Sequence, residues 1–347
     1  MTKPPSSKDS DHYDTGTWLN IIKKYNTPDH QKSIWQIINT LVPYILLWYL
    51  MYLSFDISYW ITLGLAILAA GFLVRIFIIF HDCGHGSFFR SQRANKIVGT
   101  ILGSLVFTPY DKWHRDHAYH HSSVGNLDKR GVGDVWTMTV EEYIKMSKWK
   151  RILYRFYRNP FFLFGIAPLL SFLVLSRFPR KSMAKPALTS IFIANMIIAV
   201  FVTGISLLIG LKTFLMIQLP IIFFASSAGV WLFYVQHQFE DVIWSRQDAW
   251  DYKTMALKGS SYLKLPRILQ WFSGNIGFHH IHHLSPMIPN YKLEKCHDEI
   301  ILNEPIKPVT LVPGLRTMRL RLWNEQMNKI ISFKELRRLS SLSIHRS

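Results

Sequence analysis

Apolar positions along the chain come in long unbroken runs, without the alternation of half-buried strands or the stripes of surface helices. Four runs approach the ~20 residues that a bilayer's hydrocarbon core requires of a helix. They lie at about 34–54 (SIWQIINTLVPYILLWYLMYL), 58–80 (SYWITLGLAILAAGFLVRIFIIF), 187–210 and 213–236. The short link Ser54–Ser58 joins the first two and Leu211–Lys212 joins the second two, so each pair predicts a transmembrane helical hairpin. Two weaker apolar runs interrupt the polar stretch 93–186. Residues 96–109 are too short to span and 160–176 are broken by Pro168, so both predict interfacial or re-entrant segments. After His237 the chain turns polar, and 260–272 and RTMRLRLWNEQMNKIISFKELRRLS predict amphipathic helices lying on a surface. The expected fold is all-α and integral to the membrane, with two hairpins beneath a cytosolic helical cap. A polar cytosolic segment over 1–33 precedes one membrane domain over 34–347, whose basic C-terminal region is 238–347.

Composition supports this reading, with 49% hydrophobic, 14% aromatic and only 18% charged residues. The net charge of +18 could suggest nucleic acid, but no basic helix interleaved with base-stacking aromatics is present, so a nucleic-acid partner is not expected. In a membrane protein the same excess marks cytoplasmic loops. The linker between the hairpins carries Lys148, Lys150, Arg151, Arg155, Arg158, Arg177, Arg180 and Lys181, while the links inside the hairpins are nearly free of basic residues. A multi-pass cell-membrane protein with both termini and the linker in the cytoplasm is expected. Arg75, inside the second span, is expected to snorkel to the interface. Cys83 and Cys296 cannot form a disulfide framework. The N-terminus has no apolar stretch before residue 34, so the spans themselves are expected to insert the chain.

Histidine changes the picture most. Of 15, His12, His30, His297 and His345 are scattered and read as structural. The others concentrate: His81 and His85 in HDCGH, His114, His117, His120 and His121 in WHRDHAYHH, and His279, His280, His282 and His283 in GFHHIHHLSP. His237 closes the fourth span. Residues three and four apart share a helix face, so one HxxxH and two HxxHH patterns each present imidazoles side by side. Imidazole suits iron, zinc, copper or nickel. Eight such residues exceed the needs of one ion and predict a two-metal site, with His237 as a ninth ligand delivered to the same face. His280 points away from its neighbours, and His114 is not placed among the ligands.

The order HDCGH, HAYHH and HIHH around two hairpins resembles the membrane-bound fatty acid desaturases. NLDKRGVGDVWTMTVEEY (126–143), YRFYRNPF (154–161), GVWLFYVQHQFED (229–241) and LPRILQWFSGNIGFHHIHHLSPMIPNYKLE (265–294) resemble the bacterial acyl-lipid Δ5 type. The resemblance implies a non-haem di-iron enzyme that uses O2 and two electrons to place a cis double bond in acyl chains of membrane phospholipids. It implies His81, His85, His117, His120, His121, His237, His279, His282 and His283 as ligands to two iron ions. The family also uses an asparagine near its metals; Asn275, one turn before His279, matches only loosely and is not carried over. Asp82, Asp116, Asp128 and Asp134 are candidates to hold the outer N–H of a ligating imidazole. Phe88, Phe89, Trp113, Tyr119, Trp231 and Phe278 are candidate linings of an acyl tunnel.

The chain carries no haem-domain motif, no GxGxxG and no cysteine cluster, so its electrons are expected from a ferredoxin or flavodoxin-type donor. A di-iron membrane hydroxylase or carotenoid oxygenase is the nearest alternative. A metal transporter is a distant one, since it would place polar residues deep within its spans.

Overall fold

A computed structural model describes residues 15–301 and 306–344; His12 and His345 lie outside the described residues. The order is α1 (Thr15–Tyr25), α2 (His30–Ser54), α3 (Tyr59–His85), α4 (Gln92–Leu105), α5 (Tyr110–Ser123), β1 (Met138–Thr139), α6 (Val140–Lys145) and α7 (Lys148–Tyr157). An irregular helical segment, 162–177, contains the short α8 (Ala167–Leu169). Then come α9 (Lys185–Ile209), α10 (Leu211–His237), α11 (Tyr252–Lys258), β2 (Tyr262–Lys264), α12 (Arg267–Phe272), α13 (His279–Leu284) and α14 (Asn290–Ile301). The chain ends with β3 (Pro308–Thr310), α15 (Leu311–Arg316), β4 (Leu322–Asn324), β5 (Lys329–Ile331) and α16 (Phe333–Ile344).

Four helices, α2, α3, α9 and α10, are long and apolar enough to cross a membrane, as the four runs predict. Each outlasts its apolar run. At 1.5 Å per residue the 27 residues of α3 and of α10 extend ~40 Å, beyond a hydrocarbon core of ~30 Å. Both helices are therefore longer than the core requires, and their C-terminal turns carry His81, His85 and His237. Gly86 stops α3 in the left-handed conformation (φ 71°), its N–H bonded to the carbonyls of Asp82 and Cys83. The link in the second hairpin is Gly210 alone (φ 84°), one residue before the predicted Leu211–Lys212.

The helices α2, α4 and α10 all pack against α3, which is the inner helix: 61% of its most apolar window is buried, against 11% for α9. Met51, Ile76, Ile79, Phe80, Ile217 and Ile221 form the centre of this core. Gly84 permits the close approach of α5, because a Cβ there would lie 2.6 Å from the Trp113 ring. A second core joins α1 to α13 and α14 through Ile21, Ile22, Ile281 and Leu293. Cys83 and Cys296 are buried in different cores and unbridged.

Several expectations need correction. Arg75 does not snorkel: it is buried, donates to Thr40 Oγ1 at 3.1 Å and to the Trp271 carbonyl, and lies 4.0 Å over the Trp271 ring. It docks α12 onto α3. Arg158 is not a surface charge of the linker. Fully buried, it donates to Tyr234, Gln238, Thr137 and the carbonyls of Trp136 and Leu320. The fold is mostly helical, as expected, with two small sheets of two- and three-residue strands added to it. Strands β1, β4 and β5 form one small sheet, with β1 parallel and β5 antiparallel to β4, and β2 pairs parallel with β3. Residues 260–264 and 322–331 are thus strands and turns where amphipathic helix was expected. Their Leu263, Leu322, Trp323 and Ile331 are buried by pairing with segments far away in sequence. Residues 162–177 widen into π-helical turns on either side of α8 with its Pro168 and bend 56° from α7.

Candidate metal centre

Four elements deliver imidazoles to one place: the ends of α3 and α10, the C-terminal half of α5, and α13. The nine predicted ligands fall into two groups. His81, His85, His117, His121 and His282 form the first, and His120, His237, His279 and His283 the second, with candidate ligand atoms inside each group within 4.8 Å of one another. The HxxHH motifs divide between them in opposite senses. From α5, the i,i+4 pair His117 and His121 enters the first group and His120 the second. From α13, the i,i+4 pair His279 and His283 enters the second and His282 the first. The groups touch where the His121 and His283 rings stack at 4.1 Å.

The Nε2 atoms point inward. His117 Nε2 lies 3.1 Å from that of His81 and 3.1 Å from that of His121, and His121 lies 3.0 Å from His282. In the second group His237 Nε2 is 3.1 Å from His120 and 3.0 Å from His279, which is 3.1 Å from His283. His85 Nε2 is buried among them without a hydrogen-bond partner. Burial first, and neighbouring imidazoles second, push His117, His121, His279, His282 and His283 well below the usual histidine range. These rings are neutral near pH 7, with lone pairs free to coordinate.

Three outer nitrogens are tied down, which orients the inner ones. His81 Nδ1 donates to Asp82 Oδ1 at 3.2 Å, His120 Nδ1 to Asp134 Oδ1 at 2.6 Å, and His237 Nδ1 to the Gly259 carbonyl at 3.3 Å. Asp82 is itself fixed by the Asn290 backbone N–H at 2.7 Å and side-chain amide at 2.8 Å. Asp116 and Asp128, the other two candidates, bind cations: Asp116 faces Lys112 and Arg180, and Asp128 pairs with Arg246.

This donor set fits metal. His120 and His237 both give their Nδ1–H outward, so their Nε2 lone pairs face one another at 3.1 Å and repel unless a cation lies between them. For metal–nitrogen bonds of ~2.1 Å, ligands at right angles sit ~3.0 Å apart, the spacing seen here. The residues fit a histidine-rich metal site.

Other histidines stay outside. His114 is exposed beside Tyr110. His280 is fully buried, but its Nε2 pairs with His297 Nδ1 at 2.9 Å. Asn275 faces α14, its amide donating to the Asn290 carbonyl at 3.2 Å. Sequence reasoning missed Asn290 and the Gly259 carbonyl. The one signal for Asn290 is its place after Pro289 at the start of a helix.

An apolar cavity of about 340 Å³ runs between α3 and α10 and reaches His81, His117 and His279. Leu73, Phe77, Phe172, Ile222 and Phe233 supply its walls. Of the six predicted aromatic linings only Trp113 faces it. Phe88 packs on Phe89 and Tyr291, Tyr119 is exposed, and Phe278 stacks on Tyr262. The lining begins beside the histidine motifs, at Phe77, Trp113 and Phe233, and continues along α3 and α10 to Leu73 and Ile222.

The fatty acid desaturase family model matches residues 58–305. A fatty acid desaturase of Bacillus subtilis is 44% identical over 321 residues, covering 92% of this chain and 90% of that one. The sn-1 acyl-lipid omega-3 desaturase (ferredoxin) of Synechocystis is 28% identical over 251 residues, 67% of this chain and 64% of that one. The sn-1 oleoyl-lipid 12-desaturase of the same organism is 27% identical over 248 residues, 70% and 67% of the two chains.

Proposed function

Because this chain belongs to the fatty acid desaturase family, we propose that its nine convergent histidines hold two iron ions, one in each group. With them it places a cis double bond in acyl chains of membrane lipids. The observation that carries this is the meeting of two imidazole groups with the end of an apolar cavity. The balance is –CH2–CH2– + O2 + 2 electrons + 2 protons → –CH=CH– + 2 H2O. Bound iron supplies the oxidising power for an unactivated C–H bond. The residues of the chain do the rest. The apolar walls from Leu73 to Phe233 bind the acyl segment and exclude water. His81, His117 and His279 border both the cavity and the metal groups, and so fix which carbons lie closest. Asp82, Asp134 and the Gly259 carbonyl hold imidazole orientation.

The substrate is lipid-linked and the donor a ferredoxin-type protein, supported by relatives named as acyl-lipid desaturases (ferredoxin). The +18 charge suits an acidic donor. Reconstituted turnover with ferredoxin should weaken between low and physiological ionic strength; turnover indifferent to salt would count against steering. The Δ5 position follows the motif resemblance, whereas the relatives whose names give a position are 12- and omega-3-desaturases. Both termini and the metal centre face the cytoplasm, so cysteines placed in 122–128 and 284–290 should label from that one side. Gas chromatography of fatty acids from cells making the protein, with double bonds mapped, tests the activity. Hydroxylated products would favour the hydroxylase alternative. Metal analysis should find about two irons per chain; one tightly held zinc would overturn the di-iron reading.

A further inference from the structure

The cavity that meets the histidines also carries charge. Lys112 and Arg180 line it, together with Asp116. The Lys112 side chain is only 10% exposed, and its Nζ lies 3.5 Å from Asp116 Oδ2, the same oxygen that Arg180 approaches at 3.6 Å. One carboxylate is shared by two cations at distances too long for good hydrogen bonds. Arg177 adds a third cation nearby with no acidic partner among the described residues. It bonds the Phe107 carbonyl and Asn195 Oδ1, and its Nε is buried and unpaired. Phe107, a cavity-lining residue, ends α4 in the left-handed conformation (φ 55°), with the Thr108 N–H bonded back to the Gly103 carbonyl. A nearly buried ammonium with half a counter-ion is costly beside an apolar wall. The cluster has one negative group where its charge calls for more.

We propose that Lys112 and Arg180, backed by Arg177, bind the phosphate of the phospholipid whose acyl chain fills the cavity. The proposal rests on the desaturase reading above and names how its substrate is held. A carrier thioester also bears phosphate, in its pantetheine arm, but the position of the cluster favours lipid. The Lys112 backbone N–H donates to Ser190 Oγ of α9 at 3.1 Å, and α9 is the outermost span.

Register along the helices gives the site a second consequence. Lys112 precedes His117 by five residues, ~7.5 Å of rise. Leu73 precedes His81 by eight, ~12 Å, and Ile222 precedes His237 by fifteen, ~22 Å. Lys112 thus sits about 8 Å along its helix from a metal group, while the apolar walls start beside the histidines at Phe77 and Phe233 and extend about 22 Å from them. A chain anchored at its phosphate places carbons close to its carboxyl end beside the histidines, and the double bond is counted from that end.

The test uses the full-length, iron-loaded enzyme in vesicles, with the same acyl chain presented on phosphatidylglycerol or on diacylglycerol. The wild type should prefer phosphatidylglycerol. Lys112→Gln and Arg180→Gln should each reduce that preference about tenfold, mainly through KM, and Lys112→Arg should restore most of it. Bound iron per chain, measured in parallel, identifies variants whose centre has collapsed. An undiminished preference in iron-replete variants overturns the phosphate site. Turnover of acyl-carrier thioesters that falls by the same factor assigns the phosphate to a carrier and overturns the lipid. A wild type that desaturates no acyl substrate instead sinks the desaturase reading itself.

Discussion

His279 and His280 are adjacent, both buried, both on α13, and they stand in two different chemical regions. His279 joins three other imidazoles whose Nε2 atoms converge without donors enough to satisfy them. His280 turns the other way and meets one partner, His297, beneath the ring of Tyr262. One hydrogen bond satisfies one nitrogen of each ring and leaves His280 Nδ1 buried without a partner, with no second imidazole aimed at it. Burial and a neighbouring imidazole push His280 down to about 3, so even a strongly shifted histidine is not thereby a ligand. What separates the regions is the number of lone pairs aimed at one point.

The largest effects should come from opening the convergent region. His237→Ala, His279→Ala, His282→Ala and His283→Ala should each take desaturation below detection and lower bound iron, read by product analysis and metal content. An active His237→Ala would remove the ninth ligand. Chelation of iron from the wild type should give the same loss, reversed by iron and not by zinc.

Next come the groups that orient it. Asp134→Asn and Asp82→Asn should each reduce iron affinity or activity by about 10- to 100-fold, the usual cost of losing an imidazole's outer partner. Asn290→Ala should follow Asp82→Asn in direction with a smaller effect, because it acts one bond further out. An Asn290→Ala loss larger than that of Asp82→Asn would break this order.

Acid should act on both regions in the same direction. An unfolded chain binds protons at histidine near pH 6.5, while His117, His121, His279, His282, His283 and His280 resist protonation when folded. The unfolded state thus binds more protons below pH 6.5, and stability falls as pH falls. Thermal unfolding of the metal-free protein should show Tm decreasing from pH 7 to pH 5, and a flat profile would contradict the buried neutral rings.

The smallest effect belongs to the His280–His297 pair. His280→Ala should keep iron and activity and cost about 1–3 kcal/mol of stability, the range for leaving a buried partner unpaired. A dead His280→Ala with normal expression would erase the distinction between the regions.

The sequence by itself determined the spans, because ~20 apolar residues have few other uses, and the ligand candidates, because HxxxH and HxxHH repeat the helical period. It also pointed to His237, since helix parity brings the ends of the second and fourth spans to one side. It did not determine how the ligands divide. His120 and His121 differ by one residue and ~100° of rotation, and the packing of α3, α10 and α13 around α5 sends them to different groups. Nor could local pattern place Arg75 over Trp271, pair β1 with β4, or set Asn290 on Asp82. Each of these joins segments more than a hundred residues apart. Helical period and apolar length are local properties that a chain carries in its order of residues, whereas the contacts that aim a lone pair or bury a cation exist only once distant helices have packed.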